Sequence, residues 1–247
     1  MKRFFPLAAL AAASLGLAAC KPAQPAADPE FGAKVRAYLL ENPEVIQEAV
    51  TQLRLKEAAK AAAPTLARYR KQLENDPRDL VINPRGSVTV VEFFDYRCGY
   101  CKVVAPEVAK LIRENPDVRF VFKEFPIFGE VSQSAARVAL TPQAKAKGLP
   151  LHQALMADKS LSEASLDQHL RDAGLDPATV RQAARDPAID QQLQDVRALA
   201  GGLGLTGTPA FIIGDYVIPG ADMDSVRAAL ARIRNEGMKR PPAAAPT

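Results

Sequence analysis

Cys98-Gly99-Tyr100-Cys101 sets two thiols three residues apart, a spacing that lets them close a disulfide or lets one attack while the other resolves. The stretch before them, residues 88–95 (VTVVEFFD), is a β-branched and aromatic run of strand length. The stretch after them, residues 102–114, carries Val103, Val104, Val108, Leu111 and Ile112 at helical spacing. A strand, the cysteine pair and a helix therefore follow in that order. A cysteine at a helix start faces unpaired backbone N–H groups and the positive end of the helix dipole, and both favour thiolate over thiol. Cys98 is the candidate nucleophile, and Cys101, one turn inside the helix, the candidate resolving thiol.

Half a zinc site, a structural disulfide and a pair of core thiols are the competing readings. Zinc needs about four ligands, yet there is no second cysteine pair, and the two histidines, His152 and His169, lie far away in sequence. Redox chemistry is the favoured reading, and it calls for no cofactor and no resident metal.

The N-terminus points to an oxidising compartment. Met1-Lys2-Arg3 is a basic start, residues 4–19 are apolar and alanine-rich but short for a membrane span, and small residues close the run. Residues 1–19 are read as an export signal. Leu17-Ala18-Ala19-Cys20 resembles a bacterial lipobox, which would make Cys20 a lipidation site; an ordinary cleaved signal is the alternative. The expected location is the periplasm or cell envelope, with membrane attachment only through such an anchor. Without residues 1–19 the formal charge falls from +4 to 30 − 28 = +2, an excess too small and too interspersed for a nucleic-acid partner.

Residues 20–30 are read as a proline- and alanine-rich linker, and 239–247 as a disordered tail. Residues 31–78 read as helical, with Val35, Tyr38 and Leu39 in one stripe, a helix start at Asn42-Pro43-Glu44, and Val45, Ile46, Ala49, Val50 and Leu53 in the next. Pro64 is expected to break or kink the second helix, leaving Leu66, Tyr69 and Leu73 to a third. Stripes this narrow cannot form a core alone, so they pack on a partner subunit or on the catalytic body.

The body is expected over residues 79–238, with strands near 88–95, 118–125, 210–213 and 216–218 and a final helix over 222–234. A helical insertion at about 131–204 holds helices over 134–140, 151–157, 166–173, 177–184 and 188–200. The expected fold class is α/β.

FFDYRCGYC, KEFP and GTPAFIIGDYVIPG together resemble the DsbA family of exported thioredoxin-like thiol-disulfide oxidoreductases over about residues 80–235. AYLLENPEVIQEAV is similar to the N-terminal helical oligomerisation segment of ScsC-type members, a group associated with copper tolerance and disulfide isomerase activity. The resemblance implies a thioredoxin fold with an inserted helical subdomain. It also makes Cys98 the attacking cysteine of a redox disulfide with Cys101, and Pro209, after Thr208, a cis-proline facing the pair.

By the same resemblance Glu92, six residues before Cys98, is a buried acid that manages protons for Cys101. Lys123 is its candidate counter-charge from the neighbouring strand, and a solvated Glu92 at a sheet edge is the alternative. Pro106 is expected to kink the helix after the cysteines. His152 is read as a packing or hydrogen-bonding residue, and His169 as part of a polar helix face.

Gly99-Tyr100 and Thr208 are more similar to the isomerase group than to the strong oxidases, so the expected activity is protein disulfide isomerase or reductase. The expected partners are unfolded or misoxidised exported proteins, a membrane redox partner and further copies of this chain through residues 31–78. A monomeric dithiol oxidase and a protein that binds Cu(I) through the same two thiols remain the alternatives.

Overall fold

The computed structural model describes residues 28–239; the expected export signal, Cys20, most of the linker and the C-terminal tail lie outside the described residues. Two compact units divide the chain between Ala49 and Val50.

The first unit holds α1 (Pro29–Glu41) and the opening of α2 (Glu44–Glu74). Asp28 caps α1 by accepting from the Glu30 amide at 3.0 Å, and Pro29 follows at a position where its missing N–H costs nothing. No residue of α1 is buried, and Phe31, Val35, Tyr38, Leu40 and Ile46 leave an apolar surface in solvent.

The second unit is built on a five-stranded sheet in the order β1-β3-β2-β4-β5. Its strands are β1 (Leu80–Ile82), β2 (Val88–Phe94), β3 (Val118–Glu124), β4 (Ala210–Ile213) and β5 (Tyr216–Pro219). β2 and β3 run parallel, and every other pair is antiparallel. Because strand side chains alternate, Val90, Phe94, Phe122 and Phe211 face one core while Val91, Phe93, Val121 and Ile212 face another. Both faces are buried, so the central strands are almost continuously apolar.

α3 (Gly99–Glu114) connects the parallel strands, and Val104, Val108, Leu111 and Ile112 turn its apolar stripe onto the first core. Six helices lie between β3 and β4: α4 (Glu130–Ala139), α5 (Pro142–Lys147), α6 (Leu149–Ala157), α7 (Glu163–Asp172), α8 (Pro177–Ala183) and α9 (Pro187–Gly202). Thr141, Ser162, Asp176 and Asp186 cap α5, α7, α8 and α9 with their side chains. α10 (Met223–Lys239) returns to the first core through Val226, Ala229 and Leu230.

Several elements differ from the sequence reading. β1 is too short for its periodicity to register, and it forms because Leu80, Val81 and Ile82 find Phe122, Val121 and Phe120 across the edge of β3. α4 begins four residues early, at Glu130, and α5 was not expected. α2 runs through Pro64 without a break. A proline inside a helix costs about 3 kcal/mol, but Leu66 and Leu73 are fully buried against the second face of the sheet and anchor the helix beyond it. The end of the segment read as an oligomerisation arm is thus a layer of the second unit, which begins at Val50, well before residue 79.

Candidate active site

Cys98 is the N-cap of α3, where the chain leaves β2 through a turn. Its sulfur accepts from the Cys101 amide at 3.3 Å and, as a thiol, donates to the Thr208 carbonyl at 3.2 Å. The Thr208–Pro209 bond is cis, and the Pro209 carbonyl accepts from Gly220 at 2.8 Å, which pins this loop to β5. The Cys98 and Cys101 thiols are free, and both are buried, while Gly99, Tyr100 and Val103 around them are exposed.

The two sulfurs are held in opposite protonation states. The Cys101 thiol donates to Cys98 and pulls the Cys98 pKa from 9.0 to about 6 against the cost of burial, helped by Thr208 and the amides of Cys101 and Tyr100. The contact of Thr208 with Cys98 runs through its carbonyl, and its hydroxyl is buried without a hydrogen-bond partner among the described residues. Cys101 is pushed far above the ordinary thiol range, first by holding its proton against Cys98, then by burial and the nearby Glu92 charge. At neutral pH Cys98 is a thiolate and Cys101 a thiol, the division of labour that thiol-disulfide exchange needs.

Glu92 is 3 % exposed, and burial, followed by the Cys98 charge, raises its pKa to about 8. Lys123 is not its counter-charge. Glu92 pairs in register with Phe122, and Lys123 pairs with Phe93 on the opposite face of the sheet. There the Lys123 ammonium binds Asp79 and the Gln72 carbonyl, fastening β1 and α2 to β3.

Asp95 escaped the sequence reading, since an aspartate in a turn usually faces water. It is 1 % exposed, and its Oδ1 accepts from the Arg97 amide at 2.6 Å and Ser132 Oγ at 2.8 Å. Its Oδ2 accepts from the amides of Ile127 and Phe128 at 2.7 and 3.1 Å. The cysteine turn is thereby bound to the loop after β3. Tyr96 and Glu124 were also missed: Tyr96 Oη lies 3.2 Å from His152 Nδ1, and burial holds Glu124 well above the usual carboxylate range. His152 packs edge-on to Phe94 and tilted against Phe122, and burial lowers its pKa to about 3, which leaves it a neutral packing and hydrogen-bonding residue. His169 bonds Asp158 Oδ2 at 3.0 Å. α3 continues through Pro106.

A thioredoxin-type sheet, a helix that begins at a Cys-x-x-Cys and an apposed cis-proline loop define a class of thiol-disulfide oxidoreductases. Residues 89–231 match the DSBA-like thioredoxin domain, and the chain belongs to that family. Residues 29–60 match the N-terminal domain of copper resistance protein ScsC. The chain is 28% identical over 185 residues to the thiol:disulfide interchange protein DsbA of Bordetella parapertussis, covering 68% of this chain and 85% of that one. A thioredoxin-like oxidoreductase from Silicibacter pomeroyi is 38% identical, with 67% of this chain and 98% of that one covered at a TM-score of 0.64. A linker-deletion variant of ScsC from Proteus mirabilis is 31% identical, covering 90% of this chain and all of that one (100%) at a TM-score of 0.63. The chain spans 27% of the length of another relative, the Na(+)/H(+) antiporter NhaA 3 of Salinispora tropica, at 32% identity over 67% of its own length.

Proposed function

We propose that this protein is an exported disulfide isomerase or reductase that works through Cys98 and Cys101. The observation that carries the reading is the split in thiol acidity, with Cys98 at about 6 and Cys101 held protonated behind it. In the dithiol form the Cys98 thiolate attacks a wrong disulfide in a client and forms a mixed disulfide. The released client thiolate then attacks a different sulfur, or Cys101 gives up its proton, attacks the Cys98 sulfur to form the Cys98–Cys101 disulfide, and the client leaves as a thiolate. A Cys98 pKa of about 6 lies between about 7 for a reducing thioredoxin and about 3.5 for a strong oxidant, which suits an enzyme that must both make and break bonds.

Thr208 and Pro209 support the reacting sulfur from the facing loop, and Glu92 supplies and withdraws the proton of Cys101. The apolar surface of Phe31, Val35, Tyr38 and Leu40, in the region that matches the ScsC N-terminal domain, is the self-association surface. Clients are unfolded or misoxidised exported proteins, and the site of action is the periplasm. A membrane redox partner resets the pair.

The test is reactivation of scrambled ribonuclease by the chain from Asp28, compared with a chain from Val50 that retains the second unit. Isomerase activity that falls in the shorter chain, with insulin reduction kept, supports an assembled isomerase. Oxidation of reduced ribonuclease by both chains, with no reactivation by either, makes the protein a dithiol oxidase.

A further inference from the structure

Between α3 and α6 lies a cavity of about 430 Å³, well above the volume of about 150 Å³ that admits a benzene ring inside an apolar core. Ala105, Val108, Ala109 and Ile112 of α3 line it, together with Phe122 on β3 and Met156 on α6. Ala105 and Ala109 lie one helical turn apart on the same face, and their small side chains leave room for a flat ring. The Phe122 ring and the Met156 thioether are favourable neighbours for such a ring.

The polar groups of the lining divide by depth. Glu92 and His152 are 3 % and 6 % exposed, whereas Lys102 is half-buried and Arg113 exposed. Glu92 Oε2 has no hydrogen-bond partner among the described residues. His152 Nδ1 is taken by Tyr96, so Nε2 is the nitrogen left over. A hydroxyl answers both atoms whichever tautomer His152 adopts, because it carries one donor and two lone pairs. At the outer end the charged groups are both cations. Lys102 holds the Met156 and Asp158 carbonyls that finish α6, and Arg113 has no ion pair among the described residues.

We propose that this cavity is a binding site for a small hydroxyaryl carboxylate, with the hydroxyl inward on Glu92 and His152, the ring between α3 and α6, and the carboxylate outward at Arg113. The inner end selects a group that both donates and accepts, the walls select an aromatic body, and the rim selects an anion. The ligand forms no bond with Cys98 or Cys101 and exchanges no electrons with them. The site therefore stands apart from the thiol chemistry and does not rest on it.

The test is isothermal titration calorimetry of the reduced full chain with para-hydroxyphenylpropionate, phenylpropionate and para-ethylphenol. The expected dissociation constant of the first is on the order of 10⁻⁴ M or tighter, the range that a ligand of about a dozen heavy atoms reaches in a formed pocket. Phenylpropionate lacks the hydroxyl and should bind about tenfold more weakly, because Glu92 and His152 stay unpaired beneath it. Arg113→Met should weaken both carboxylates by about threefold or more and leave para-ethylphenol unchanged. Ala109→Leu fills the cavity and should abolish binding of all three, and Ala105→Leu does so one turn nearer Cys101 should the first variant fold poorly. No binding of para-hydroxyphenylpropionate to wild type overturns the site, as does undiminished binding in both filled variants or equal affinity for the ligands with and without the hydroxyl. Binding that disappears when Cys98 is alkylated with iodoacetamide also overturns it, because the ligand then sits in front of the thiols.

Discussion

Cys98 and Glu92 sit close enough for each to raise the other's cost of ionisation, so their titrations are linked. Alkylation of Cys98 by iodoacetamide should rise with pH around a midpoint near 6, and Cys101→Ala should move that midpoint up by about a unit or more, because the S–H donor is lost. Glu92 has the opposite sign. Its folded pKa stands above the ordinary 4.5, so the unfolded chain loses this proton first, and the contribution of Glu92 to stability falls as pH climbs from about 4.5 to about 8. Glu92→Gln should stabilise the protein at pH 7 by up to about 3 kcal/mol and flatten that slope, measured by urea unfolding at several pH values. The sequence exposed Cys98, Cys101 and Glu92 because cysteines and a lone acid in an apolar strand are conspicuous. It hid Asp95, whose partners come from a loop some thirty residues away. It also invited a false pairing of Glu92 with Lys123, which the strand register refuses.

Among the elements, α2 carries the largest departure from periodic reasoning, since a break at Pro64 is expected and the stripe fits a partner subunit as well as the body, whereas the helix runs on and Leu66 and Leu73 belong to the second core. The spacing of these residues was legible, but the sheet face that receives them was not. Leu66→Ala or Leu73→Ala should cost about 2–5 kcal/mol in chemical denaturation, the loss expected of a buried leucine. Lys123→Met would strand Asp79, whose pKa burial already raises to about 6 despite its cation, and should destabilise by about 3–5 kcal/mol. Adding Asp79→Asn should recover part of that loss in the same measurement.

At the scale of the whole molecule, the residues of the two cores described lie between Leu55 and Ile233, all within the second unit. A chain starting at Val50 should unfold cooperatively and keep the Cys98 alkylation profile, whereas one starting at Asp79 should fail to fold, as judged by circular dichroism and thermal melting. Light scattering should report a larger assembly for the chain from Asp28 than for the chain from Val50. The hydrogen bonds of Asp95 have a mechanical side. On the proposed function, a client joined to Cys98 would be a long, fluctuating polymer that tugs on its attachment point, and a hinge there would let the pull straighten the turn. Four donors on one carboxylate share the tension between the start of α3 and the loop before α4, so the tug is spread through the interior of the protein.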